Sequence, residues 1–347
     1  MKGWKVIDCD GHVDPGLLVD WERYAPPPYG EMMTQLAREQ FSLMGHQSSL
    51  HRGAWDSTAR LEDMGKEGID VAVLFGGSTG GVQAGVREDP AYAVALCRAY
   101  NNWLAEYCGV APERLKGAGA LPFSSAEDVV KEARRVVTEL GFVTVVVPTY
   151  LDLGKRLVSL YDDYFTPLYQ EAENLNIPIA VHAPAPHFRK FLQQRYKAHF
   201  QVHAIDFPAA LMMASMDVIC SGLLERYRTL RFAFLEGAVG WVPWWIDRLD
   251  EHFEKLPHHV PRIARKPSEY FKDPRIVFSC ESGEALLGQA VQVLGESQII
   301  YASDYPHWDC EYPESVNKVL NRTDITETVK RKILSDNGAR LYSLDSR

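Results

Sequence analysis

The sequence is short of basic charge, of paired cysteines and of long apolar runs, and each shortage removes a class of function. Lys and Arg number 37 against 46 Asp and Glu, a net charge of −9. A nucleic-acid partner needs a basic face, and an anionic membrane surface needs one too, so neither partner is expected. The six cysteines, Cys9, Cys97, Cys108, Cys220, Cys280 and Cys310, are scattered without a CxxC pair. That pattern reads as reduced thiols, not a disulfide framework. The N-terminus MKGWKVIDCDGH has neither the apolar core nor the small-residue cleavage pattern of a signal peptide. The longest mostly apolar window, Pro208 to Leu224, is interrupted by Asp217 and too short to span a bilayer. A cytoplasmic protein is the expectation. No repeat, low-complexity segment or interdomain linker divides the 347 residues.

What is present is an alternation of buried strands and helices. IDCDGHV (Ile7 to Val13) opens it, followed by VAVLFGG (Val71 to Gly77), LKGAGALPF (Leu115 to Phe123) and VTVVVP (Val143 to Pro148). IPIAVHAP (Ile177 to Pro184), LRFAFLEG (Leu230 to Gly237), IVFSCE (Ile276 to Glu281) and IIYASDYPH (Ile299 to His307) complete eight. Helical patterns separate them, from STARLEDMGKE, where Ser57 is the expected cap and Gly68 the stop, to a closing helix in Ile325 to Leu341. Eight such units predict a (β/α)8 TIM barrel of one domain spanning 1–347. A doubly wound sheet is the runner-up. It would place a glycine-rich phosphate turn after strand one, where DGHVDP stands, and GGSTGG (Gly76 to Gly81) lacks the Lys of a phosphate loop. Long insertions are expected after strands one and five. The first, about 14–56, reads as an irregular lid or interface arm.

Barrel strands carry reactive groups at their C-terminal ends. Strand one offers Asp10 and His12, strand five His182, strand six Glu236 and strand eight Asp304. By strand alternation Asp8, Asp10 and His12 share one face, and Ile7, Cys9 and Gly11 the other. Converging carboxylates and imidazoles need a compensating charge, and one divalent metal supplies it. Zinc is the first expectation, manganese or iron the alternatives, and a second metal is left open. Asp10, His12 and His182 form the fixed metal set, with Asp304 as weak ligand and proton shuttle and Glu236 as a second acid or base. Asp8 and Glu281 are placed behind the ligands, Asp8 orienting His12 or a neighbouring strand. His203 with Asp206, and His307 with Trp308, are candidates for lining the substrate pocket. His46, His51, His187 and His199 read as solvated or lid residues, and His252, His258 and His259 as surface. Trp241, Trp244 and Trp245 read as core and interface packing, and with the Pro-rich first loop they point to a homodimer.

IDCDGH, VHAP, GLLERYRTLRFAFLEGAVGWVPWWIDRLDE, YASDYPHWD and the closing NGARLY together resemble the amidohydrolase-related family over nearly the whole chain. The branch resembled contains aminocarboxymuconate-semialdehyde decarboxylase, resorcylate-type decarboxylases and ring-cleavage-product hydrolases. The resemblance implies a metal-dependent barrel enzyme acting on a small carbonyl- or carboxylate-bearing substrate, often aromatic, with Asp10, His12, His182 and Asp304 as metal residues. Two positions depart from the pattern. The strand-one pair, usually His-x-His or Glu-x-His, is Asp-x-His, and the catalytic His that follows strand six in the decarboxylases gives way to FLEGAVGW. The departure after strand six puts hydrolysis through a metal-activated water first among the expectations. Non-oxidative decarboxylation is the alternative, a dinuclear iron oxygenase using Glu236 a remoter one, and a barrel that has lost its chemistry the non-enzyme reading.

Overall fold

The computed structural model describes residues 3–15, 18–44, 51–77, 89–153, 156–182, 186–259 and 262–345, with the side chains of 39–44 and 186–187 also outside the description. The expected glycine-rich stretch beyond Gly77, the tip of strand five beyond His182, and the side chains of His46 and His187 therefore lie outside the described residues.

Eight parallel strands form one sheet: β1 Ile7–Val13, β2 Val71–Gly76, β3 Leu115–Gly119, β4 Thr144–Pro148, β7 Ile179–His182, β8 Phe232–Leu235, β9 Ile276–Cys280 and β10 Ile299–Tyr301. Each is buried almost throughout, as strands covered on both faces must be. The first and last meet past the end of β10. The His12 N–H donates to the Tyr305 carbonyl at 2.7 Å, and the Asp304 N–H donates to the Asp10 carbonyl at 3.1 Å. The barrel is a (β/α)8 TIM barrel, as the strand count predicts.

Its interior is filled by Ile7, Cys9, Val71, Val73, Phe75, Ala118, Val146, Ala180, Ala233, Leu235, Val277 and Ile300. The bottom is stoppered by the last helix, Asn337–Tyr342, whose Ala339, Leu341 and Tyr342 join that cluster. The Tyr342 hydroxyl donates to the Cys9 carbonyl at 3.0 Å.

Several expectations are corrected. The 14–56 insertion is not irregular but contains the helix Tyr29–Met44. It is pinned to the helix Pro90–Cys108 by Tyr29 stacked on Tyr92 and by Arg23 on Glu106 at 2.9 Å. The helix after β1, Ser57–Glu67, is capped by Asp56 and not Ser57, because the Asp56 carboxylate accepts from the Thr58 and Ala59 N–H groups. A hairpin, β5 Tyr150–Asp152 with β6 Leu157–Ser159, follows β4 unforeseen. The insertion after the fifth barrel strand, β7, is likewise helical, Pro186–Arg195, and the next helix runs His199–Ile219, starting before Asp206 and passing through Pro208. By length and composition that helix could cross a membrane, yet half of its apolar window is buried in the fold. Of the three tryptophans, Trp241 and Trp245 pack on the core and Trp244 is exposed.

A Cβ at Gly338 would lie 2.5 Å from the Cys9 Sγ and 3.3 Å from Ile7. Gly338→Ala should therefore overpack the barrel floor and cost about 1–3 kcal/mol. The check is the denaturant midpoint, with Cys9→Ala in the same chain restoring most of the loss.

Candidate active site

Strict alternation in β1 would turn Asp10 and His12 away from the barrel if Ile7 and Cys9 face into it. The chain avoids this with a bulge. Ile7 and Asp8 pair with Val71 and Ala72, whereas Gly11 and His12 pair with Leu74 and Phe75, so Cys9 and Asp10 together oppose Val73. Ile7 and Cys9 stay in the interior cluster, and the extra residue swings Asp10 and His12 inward as well. The predicted shared face of Asp8, Asp10 and His12 is thus corrected. Asp8 points outward, against the barrel seam and the helix Ser57–Glu67.

There it is buried and bound on both sides. Ser303 donates to it through its backbone N–H at 2.9 Å and its hydroxyl at 2.6 Å, and the Arg60 guanidinium lies 3.6 Å away. Arg60, itself 1% exposed, also donates to the His12 carbonyl at 2.9 Å and the Tyr305 carbonyl at 3.4 Å. Burial pushes the Asp8 carboxyl up, and Arg60 and Ser303 hold it back. Of its two expected roles, Asp8 takes that of bracing a neighbouring strand.

Inside the mouth, Asp10, His12 and His182 come together, all buried. The two Nε2 atoms are 3.1 Å apart, and Asp10 Oδ1 lies 3.9 Å from that of His12 and 3.5 Å from that of His182. Phe75 floors the cluster, its ring 5.4 Å from that of His182. Asp304 approaches the opposite nitrogen of His12, Nδ1, at 3.2 Å. There it belongs to a second cluster with Glu236 and His307. His307 Nδ1 is 2.8 Å from Asp304 and 3.5 Å from Glu236, and Glu236 also reaches His182 Nδ1 at 3.2 Å. The expected metal residues are therefore contiguous but split between two groups that share His12.

Charges in these groups are strongly tuned. Burial drops His12 to about 4, aided by the charge of His307. Burial raises Glu236 to about 8 against the pull of His182. His307 overcomes its own burial: Asp304 and then Glu236 raise it to about 10. Burial opposes ionisation of Asp304 too, but His307 and His12 hold it well below the usual carboxylate range. Glu236 and Asp304 both sit in the left-handed backbone region, at φ 61° and 54°. Non-glycine residues are held there only where surrounding contacts over-determine them.

A divalent metal fits the first cluster. Asp10 Oδ1, which faces the two Nε2 atoms, is buried without a hydrogen bond of acceptable geometry. A buried carboxylate between two imidazole edges lacks compensation, and oxygen and imidazole donors without thiolate suit a hard or borderline ion.

His203 and Trp308 stand at the rim, ring centroids 5.7 Å apart. Glu281 is misassigned: its side chain is exposed. The brace is Glu284, which accepts the N–H groups of Glu281 at 2.8 Å, Val239 at 2.9 Å and Gly240 at 3.0 Å. Sequence reading also missed Arg60, Ser303 and Phe75. An arginine on the inward face of STARLEDMGKE was the available signal for the first.

The profile of the amidohydrolase family matches residues 7–344. This chain belongs to the amidohydrolase family. It is an enzyme, a metal-dependent hydrolase or carboxy-lyase. The 2-amino-3-carboxymuconate-6-semialdehyde decarboxylase of Dictyostelium discoideum is 25% identical over 292 residues, 84% of this chain and 77% of that protein. The gamma-resorcylate decarboxylase of Rhizobium radiobacter is 26% identical over 296 residues, 83% of this chain and 87% of that protein. Among solved structures, 5-carboxyvanillate decarboxylase of Novosphingobium aromaticivorans, complexed with manganese and 4-hydroxy-3-methoxy-5-nitrobenzoic acid, superposes with a TM-score of 0.75. It is 20% identical, covers 99% of this amidohydrolase and is itself covered to 97%. That likeness is one of fold.

Arg60→Met would strand Asp8 as a buried, uncompensated charge. It should cost about 3–5 kcal/mol in denaturant unfolding, with a smaller loss in Arg60→Met/Asp8→Asn than in the single variant. Equal losses in the two would mean the guanidinium contributes through packing alone.

Proposed function

We propose that this amidohydrolase is a carboxy-lyase that removes carbon dioxide from an aromatic, or aromatic-derived, carboxylic acid bearing a hydroxyl beside the carboxylate. The observation that carries the reading is His307 lodged between Asp304 and Glu236, 2.8 and 3.5 Å from them. Hydrolysis needs first a base that strips a proton from water. Decarboxylation needs first an acid that places one on carbon, and a half-buried imidazole between two carboxylates is built to keep a proton at hand. The decarboxylase names of the relatives at 25% and 26% identity support the same choice. The alternative expectation from sequence thus replaces hydrolysis as the leading one.

Asp10, His12 and His182, with Asp304 beside them, would hold a divalent metal that polarises the substrate carboxylate and the adjacent ring oxygen when bound. Two carboxylates with two imidazoles favour a harder ion, and the manganese of the 5-carboxyvanillate decarboxylase structure leads us to place manganese ahead of zinc. The chain's own part is proton delivery. Asp304, kept ionised by His307 and His12, stands between the metal cluster and the protonated imidazole. The ring carbon bearing the carboxylate takes the proton from the trio of Asp304, His307 and Glu236. The bond to the carboxylate then breaks, its electron pair restores the aromatic ring, and carbon dioxide leaves. Solvent re-protonates the trio. Glu236, tied to both His182 and His307, replaces the histidine usual after strand six as the group that holds the donor in place.

The test is metal content by plasma mass spectrometry together with product analysis on hydroxylated benzoates. One manganese per chain, lost in Asp10→Ala, and carbon dioxide released without incorporation of oxygen from water are expected. Asp304→Asn should keep the metal-free fold and lower kcat by about 10²–10⁴-fold. A product carrying an oxygen from water would return the enzyme to the hydrolases, and two irons per chain with oxygen uptake would move it to oxygenase chemistry.

A further inference from the structure

The helix His199–Ile219 is apolar on every side, the composition of a helix enclosed all round, yet its own fold covers only half of its apolar window. Val202, Phe207, Ala210, Leu211, Ala214 and Val218 are buried in the core. On the other side Ile205, Pro208, Ala209 and Met212 are half-buried and Met213 and Met216 exposed. Their spacings of three and four make one apolar seam along the outer face. From His199 to Met216 the only acidic or basic residue, histidines aside, is Asp206, which is fully buried and accepts from Arg189 Nε at 2.6 Å.

The seam continues onto two neighbours. Asp217 accepts the Leu160 N–H at 3.1 Å, which ties the end of the hairpin β5–β6, and Tyr161 just past it, to this helix. The Phe188 N–H donates to the Tyr150 hydroxyl at 3.0 Å, which ties the helix Pro186–Arg195 to the same hairpin. Large apolar side chains stand out on all three elements: Phe200, Phe191 and Tyr161 are 80%, 57% and 47% exposed. Those three rings alone offer roughly 350 Å², against about 800 Å² that each partner brings to a standard interface. The exposed cations Lys190, Arg195 and Lys197 stand only beyond the N-terminal end of the seam. An apolar, methionine-rich centre with charge at its rim is the anatomy of a protein–protein interface.

We propose that this seam is the contact with a second copy of the chain, the two helices His199–Ile219 packing antiparallel about a two-fold axis between Pro208 and Ala209. A two-fold contact uses the same patch on both molecules, and this patch suits itself. Reversal about that axis sets Ile205 against Met212, and the exposed Met213 and Met216 against Ala204 and Gln201, large side chains opposite smaller ones. Charge permits the same partner. Each copy carries −9, so two copies meet best through a face that carries none. Antiparallel order also keeps the two basic ends roughly 25 Å apart, well beyond the ~8 Å over which salt screens them. Lipid is a poorer occupant, because a helix lying on a membrane keeps a basic face for the headgroups, and the reverse side of this one is in the core. The tryptophans expected from sequence to carry a dimer, Trp241 and Trp245, pack instead on their own core.

The experiment is sedimentation velocity on the full chain over a concentration series. The wild type should sediment as a dimer. Ala209→Glu and Ala209→Lys each set like charges against one another across the axis, and each should weaken the dimer at least ~100-fold with circular dichroism unchanged. Mixing the two variants should restore a dimer, because only the mixed pair brings opposite charges together. Trp244→Glu, an equally exposed site on another helix, should leave the dimer intact. A monomeric wild type, a dimer that survives both Ala209 substitutions, a mixture that stays monomeric, or a dimer lost in Trp244→Glu overturns the proposal. So does a monomeric wild type that co-sediments with phosphatidylglycerol vesicles, which would give the seam to lipid. The wild-type measurement needs no variant, so misfolding at position 209 does not shelter the proposal. No substrate or metal enters the readout, and the carboxy-lyase reading stands or falls separately.

Discussion

A buried carboxylate at the barrel seam, Asp8, is the constraint on which the rest of the active end depends. It faces away from the mouth and bonds no ligand, yet it joins three parts of the chain. Ser303 from the last strand's extension donates to it twice, and Arg60 from the helix after β1 pairs with it while also binding the carbonyls of His12 and Tyr305. A buried ion pair gains little net stability over an apolar replacement, but it tolerates the loss of one partner badly. Its contribution here is geometric. By fixing the start of β1 against β10, it sets the bulge at Cys9 and Asp10, and the bulge decides that Asp10 and His12 enter the barrel together.

Above that clasp the mouth is organised by opposed charges at short range. His12 is kept neutral by burial, His307 is kept charged by its two carboxylates, and Asp304 stays ionised between them. Two imidazoles and a carboxylate, His12 buried and the other two half-buried, are thus driven in different directions within a few ångströms, the pattern expected where proton transfer is arranged. The supports are backbone devices. Glu284 gathers three N–H groups from two strand ends, and the Ser279 hydroxyl accepts the Glu236 N–H at 3.1 Å. These contacts hold Glu236 in a backbone conformation that a free chain would seldom adopt.

The architecture was largely legible from sequence because buried parallel strands are continuous apolar runs, and because ligand-type side chains interrupt them only at the tips. His182 after IPIAV and Asp304 after IIYAS stand out for that reason. The orientation of β1 was not legible, since alternation alone assigns faces and a bulge leaves no mark in IDCDGHV. Asp56 against Ser57, and Glu284 against Glu281, were misassigned for a related reason: neighbouring residues of similar chemistry are separated only by the backbone N–H groups they meet. The helices Tyr29–Met44 and Pro186–Arg195 lay in stretches rich in proline and polar residues, where packing against the barrel, and not local propensity, fixes the conformation.

The stopper at the bottom of the barrel has a consequence for how the enzyme is made. Tyr342 reaches back 333 residues to the Cys9 carbonyl, and Ser303 reaches back 295 residues to Asp8. The first strand, which carries Asp10 and His12, therefore has no completed neighbour on one edge until residues 295 positions later have been made. Pairings of such long range form late. A chain that lacks the last helix leaves the barrel floor open beneath Cys9 and Ile7, so the strand that carries Asp10 and His12 is held at both ends only when residues from the two extremes of the fold have met.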